Sequence, residues 1–146
     1  GKVVGANVPV IGGTATLNLS NVTPGAHRYA AVYAPTVGTV FQASEGAVTV
    51  TAKTSAKVTE TFAASVKKGK KAKGAVVVTL AGTSTKATGK VTVKVGSKVV
   101  GSGTVVNGKA TITLKKLKKG KNKLVATWGG NALAPAASLA FTIKQK

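Results

Sequence analysis

Two stretches of this chain align without a gap: GGTATLNLSNVTPGAHRYAAVY from Gly12 to Tyr33, and NGKATITLKKLKKGKNKLVATW from Asn107 to Trp128. Gly13 falls on Gly108, Ala15-Thr16 on Ala110-Thr111, Leu19 on Leu114, Val22 on Leu117 and Gly25 on Gly120. Further along, His27 falls on Asn122, Tyr29 on Leu124, Ala31 on Ala126 and Tyr33 on Trp128. With one residue of slip, KVVG at Lys2–Gly5 matches KVVG at Lys98–Gly101. A repeat at this distance predicts two tandem copies of one domain.

Each copy reads as strand, turn, strand. In the second, Ala110, Ile112 and Leu114 alternate inward while Thr111 and Thr113 face out, and Leu124, Ala126 and Trp128 alternate inward again. Leu117 carries the apolar line around a corner, and Gly120 stands where the turn needs an unhindered backbone. Val, Thr and Gly are common and helix formers are few, so the chain reads as an all-β sandwich or barrel.

The residues that are missing exclude whole classes of chemistry. The 146 residues hold no Cys, hence no disulfide, thiol nucleophile or Cys-ligated zinc. There is no Asp; the only carboxylate side chains are Glu45 and Glu60, and the only imidazole is His27. Paired-carboxylate hydrolysis, a Ser-His-Asp triad and carboxylate-held Ca²⁺ or Mg²⁺ all lack their parts. No GxxxxGK[ST] loop occurs. A non-catalytic protein without cofactor or metal is expected. No signal-peptide core or bilayer-spanning apolar run is present, so membrane insertion is not expected.

The strand TGKVTVKVGS at Thr88–Ser97, the strand NGKATITL at Asn107–Leu114, the GxxxLxAxW segment at Gly120–Trp128 and GGNALAPAAS at Gly129–Ser138 follow one another in an order that resembles the bacterial immunoglobulin-like repeat domains of the type 3 group. In the first copy GGTATL, GAHRYAAVY and FQAS are the matching parts. The resemblance implies an immunoglobulin-like sandwich used as a non-catalytic spacer or adhesive module on secreted or cell-surface bacterial proteins. The second copy departs from the pattern by its lysine load. Asn131 stands near the place where the family often carries an acidic residue.

The expected strands of the second copy are A at Lys57–Val66, B at Gly74–Ala81, C at Lys90–Val95, D at Lys98–Ser102, E at Lys109–Leu114, F at Asn122–Trp128 and G at Leu139–Lys144. Seven strands in this length suit the immunoglobulin sandwich. Expected inward residues include Phe62, Val76, Val78, Leu80, Val91, Val93, Val95, Ile112, Leu114, Leu124, Trp128, Phe141 and Ile143. The first copy supplies the equivalents of D, E, F and G but not A, B or C. The expected division is therefore an incomplete first domain over 1–54 and a complete second one over 55–146. Its missing strands, together with the absence of Met, lead to the expectation of a C-terminal piece of a longer chain. The alternative is a fibre subunit completed by a strand-donating chain.

Charge is concentrated in the second copy. Residues 1–56 hold Lys2, Arg28, Lys53 and Glu45, a net of +2; the remaining nineteen lysines and Glu60 give +18, which sums to the +20 of the chain. In an up-and-down sandwich the A–B loop and the E–F loop share one pole. That brings Lys67, Lys68, Lys70, Lys71 and Lys73 toward Lys115, Lys116, Lys118, Lys119, Lys121 and Lys123, with Lys94, Lys98, Lys144 and Lys146 nearby. Such a cationic tip is expected to engage an anionic cell-wall polymer, an acidic glycan or extracellular DNA without sequence preference; a plain solvated surface and an accessory domain of a secreted enzyme are the competing readings. Few aromatics and a single Arg argue against a sequence-specific DNA reader.

Among single residues, His27 is expected to hold the corner backbone. Trp128 and Tyr33 are expected to plug the core, with glycan stacking by Trp128 the competing role. Glu60 shares the inward parity of Val58 and Phe62; a kink in strand A or a carboxyl-catalysed isopeptide crosslink would account for it.

Overall fold

The computed structural model describes residues 1–38 and 40–146. Ten strands form among them and no helix. They are β1 (Gly25–Tyr33), β2 (Ser44–Ala52), β3 (Ala56–Glu60), β4 (Ser65–Val66), β5 (Lys73–Leu80), β6 (Gly89–Val95), β7 (Lys98–Val105), β8 (Lys109–Thr113), β9 (Gly120–Trp128) and β10 (Ala137–Gln145).

Strands β3 to β10 build two stacked sheets. One has the order β3-β5-β8 and the other β4-β10-β9-β6-β7. Their inner faces carry alternate β-branched and large apolar residues, which pair across the sandwich as a pleated surface requires. Trp128, Ile112, Leu114, Leu124, Ile143, Val76, Val78, Val91 and Val93 are fully buried. Of the residues expected inside, only Val95 and Phe141 remain half-buried, packed against the rim of the core. The indole N–H of Trp128 donates to the Thr88 carbonyl at 3.0 Å. The ring is wholly enclosed, so it offers no face to a glycan.

Two strand expectations are corrected. Strand A is broken: β3 pairs antiparallel with β5, and after Glu60 the chain crosses to the other sheet, where β4 runs parallel to the end of β10. The Glu60 carboxylate accepts the amide of Phe62 at the break, satisfying a donor that neither sheet takes. The strand expected as D at Lys98–Ser102 runs on to Val105 and lies beside β6 at the edge of the five-stranded sheet. Gly101 permits this, because a Cβ there would sit 2.7 Å from Leu114 Cδ2 on the facing sheet.

Among the described residues of 1–52 no second sandwich forms. They contribute the hairpin β1–β2 and an N-terminal stretch without paired strands, so the expected D and E strands of the first copy do not form. In the second copy, β8 (the E strand) hydrogen-bonds to β5; the first copy has no such neighbour, and an isolated strand does not stand alone in water.

The two aligned stretches share particular backbone features. Hairpin β1–β2 pairs Tyr33 with Ser44 and Gly25 with Ala52; β9–β10 pairs Trp128 with Ala137 and Gly120 with Gln145, in the same register over nine positions. The isolated bridge Ile11–Thr14 repeats the bridge Val106–Lys109. Both corner glycines, Gly25 and Gly120, take positive φ, 141° and 97°.

Candidate functional site: the lysine-rich loops

Strand register decides where the lysine loops lie. Ala56 pairs with Leu80 at the end where β2 leads into β3. Lys73 pairs with Thr113 at the opposite end. Beyond that pair the Leu114 amide donates to the Ala72 carbonyl at 2.8 Å, which ties the close of the A–B loop to the opening of the E–F loop. On the other sheet Gln145 is in register with Gly120, and its Nε2 donates to the Lys67 carbonyl at 2.7 Å. The Lys146 amide reaches Val66 O and the Lys115 amide reaches Val100 O. The two loops thus meet at one margin, and at the other both adjoin the end of β10, away from the β2–β3 link.

Each loop is pinned by one apolar residue facing in. Ala72 and Leu117 are buried, while Lys67, Lys68, Lys70, Lys71, Lys73, Lys115, Lys116, Lys118, Lys119, Lys121 and Lys123 are all exposed. Asn122 holds the E–F corner from beneath: its Nδ2 donates to Lys118 O at 2.8 Å and Gly120 O at 3.1 Å. His27 does the same at the matching corner, its Nε2 2.7 Å from Thr23 O.

The lysines also continue onto the outer face of the five-stranded sheet, which the loop reading did not include. Lys121 lies directly opposite Lys144, Lys123 opposite Thr142, and Lys94 opposite Val125. All of these side chains are exposed and alternate with buried or half-buried neighbours. The signal was present in sequence as the parity of Lys121, Lys123 and Lys144 against Asn122, Leu124 and Ile143. Like charges opposed across a strand pair are destabilising, so this face holds together against its own repulsion. No group of three or more His, Cys, Asp or Glu stands close enough to hold a metal among the described residues. No helix there is long and apolar enough to cross a membrane.

The geometry is that of a two-sheet immunoglobulin-like module, and the family comparison agrees. The model of the bacterial Ig-like domain (group 3) matches residues 53–144, and the chain belongs to that family. Domains of this family are typically non-catalytic and commonly extracellular. No curated protein sequence matches the chain. Among solved structures it is similar to the complex of Porphyromonas gingivalis RgpB pro- and mature domains and to the Arg-specific cysteine proteinase gingipain R. Each is 18% identical with a TM-score of 0.40, over 64% of this chain and 19% of the other. The chain thus spans about a fifth of the length of those structures.

Proposed function

We propose that this chain is a non-catalytic extracellular module whose lysine-rich end and adjoining sheet face hold a linear polyanion, an anionic cell-wall polymer before an acidic glycan or DNA. The observation that carries the reading is the join of Leu114 to Ala72 between the loops, with Gln145, in register with Gly120, bonded to Lys67 on the other sheet; together these hold two distant lysine runs near one another. Two unit charges about 7 Å apart in water repel by about 0.6 kcal/mol, and a dozen neighbours add up to several. A polyanion relieves that repulsion and releases its own counterions on binding. Lysine suits the task because it contacts phosphate as a point charge without selecting a base or sugar.

The test is retention on immobilised linear polyphosphate, with double-stranded DNA as a second anion. A ligand spanning both loops neutralises on the order of six phosphates, so log K should fall with log salt at a slope near −5. Replacing Lys67, Lys68, Lys70, Lys71 and Lys73 by Ser, or Lys115, Lys116, Lys118 and Lys119 by Ser, should each flatten the slope. Both together should abolish retention at about 0.15 M salt. Retention unchanged by the double set, or a slope shallower than about −2, refutes the reading.

A further inference from the structure

The β1–β2 hairpin and the N-terminal stretch enclose an open apolar groove of about 640 Å³, lined by Leu17, Leu19, Val22, Tyr29, Val48 and Val50. Most of these side chains are well exposed, Val48 by 58% and Leu17 by 46%. The repeat identifies what such a face is for. Leu17, Leu19, Val22 and Tyr29 fall on Ile112, Leu114, Leu117 and Leu124, and in register Val48 and Val50 fall on Phe141 and Ile143. In the second copy all of these are buried except the half-buried Phe141. Gly5 packs on Leu17 as Gly101 packs on Ile112 and Leu114: a Cβ at Gly5 would sit 2.6 Å from Leu17 Cδ2. The half-module keeps its internal packing and presents its inner face to solvent.

The covering elements can be read from the second copy. The face of β9 and β10 is closed by the opposite sheet, in which β5 lies beside β8 and β3 beside β5; β6 runs along the free side of β9 and β4 along the free side of β10. Strands β3, β4, β5 and β6 belong to one continuous run, Ala56–Val95. In the first copy the matching edges of β1 and β2 are both free. A single donated strand would close one of these places and leave the others open. We propose that the groove seats a continuous segment carried on the same polypeptide, with the alternating β-branched pattern of Ala56–Val95. Its last strand, the equivalent of β6, runs antiparallel to β1. The register follows from Val91–Trp128, Thr92–Thr127, Val93–Ala126 and Lys94–Val125: the incoming strand lies opposite Tyr33, Val32, Ala31 and Ala30. The inference is independent of polyanion binding.

The experiment places a second copy of residues 55–96 ahead of Gly1, which falls on Ser97 in the alignment, and follows amide hydrogen exchange in the full chain. Exchange across Ala30–Tyr33 should slow by on the order of 100-fold relative to the unextended chain, with β9 protection unchanged as a folding control. Tyr29→Ser with Val48→Ser in the extended chain should reverse the slowing. A second readout needs no equilibrium protection: Ala31→Cys with a cysteine at the appended equivalent of Val93 should form a disulfide on oxidation, and a cysteine one position on should not. Equal exchange in both chains with no register-selective disulfide overturns the proposal. So does equal protection by the same segment added as a separate peptide at micromolar concentration, which assigns the groove to a donor in trans. Protection of β1 in the unextended chain that grows with concentration also overturns it, in favour of a second copy.

Discussion

Asn122 shows how one side chain sets a corner. It sits at an inward position between Leu124 and the turn, where a hydrocarbon would be expected, and it is buried. Its amide satisfies Lys118 O and Gly120 O, carbonyls that the turn removes from the sheet ladder. Asn122→Ala should cost about 1–3 kcal/mol, because it leaves two part-buried acceptors unpaired beneath the corner. His27→Ala at the matching half-buried corner should cost about 0.5 kcal/mol or less, since water can reach that backbone. Urea unfolding of the two variants measures the difference; equal losses would mean the corner bond itself carries no weight. The pairing of His27 with Asn122 was readable from the repeat, as was the corner role of His27. The burial of Asn122 was not, because polarity hides a core position when its partner is a backbone carbonyl of the same turn. Tyr33 fails in the opposite direction. It matches the buried Trp128, yet it is exposed, because enclosure comes from a facing sheet and not from the residue itself.

At the level of elements, alternation identified β6, β8, β9 and β10, strands of 5 to 9 residues, whereas β5, with Ala75 and Val76 both buried, was marked by its valine run. It could not tell which neighbour a strand takes. The edge strand β7 has the same pattern beside β6 as it would have beside β8, and the choice rests on close packing of Gly101 against Leu114. Strand A broke for a similar reason: parity through Glu60 is meaningless once the chain changes sheets. Counting strand reversals gave only an expected relation between the lysine loops, and the outer sheet face came with the register. That face makes a prediction with two opposed signs. Lys144→Glu sets a carboxylate opposite Lys121. Stability should rise by about 0.2–1 kcal/mol at low salt, and the gain should fade at 1 M salt. Retention on polyphosphate should fall in the same variant. A rise in stability with unchanged retention would mark this face as charge decoration outside the binding surface.

On the scale of the molecule, two halves with one sequence pattern have reached different ends. The later half buries its apolar positions between two sheets, and the earlier half holds the same positions against water on a two-stranded hairpin. Two strands with one open face are marginal, whereas a closed sandwich unfolds as a unit. Amide protection should therefore divide the chain near the β2–β3 link, where the Thr54 amide and hydroxyl bond to Leu133 O and Ala81 O. Amides of β9 should exchange only with global opening, and those of β1 and β2 should exchange on the order of 10³-fold faster or more. Denaturant should bring the two classes together only as the sandwich itself unfolds. Protection of β1 equal to that of β9 in the unextended chain would mean that the hairpin face is already covered, and the contrast between the two copies would then lie in what covers them and not in whether they are covered. A shared register with unequal protection would instead locate the stability of this fold in the contact between sheets, since the hairpin hydrogen bonds are the same in both.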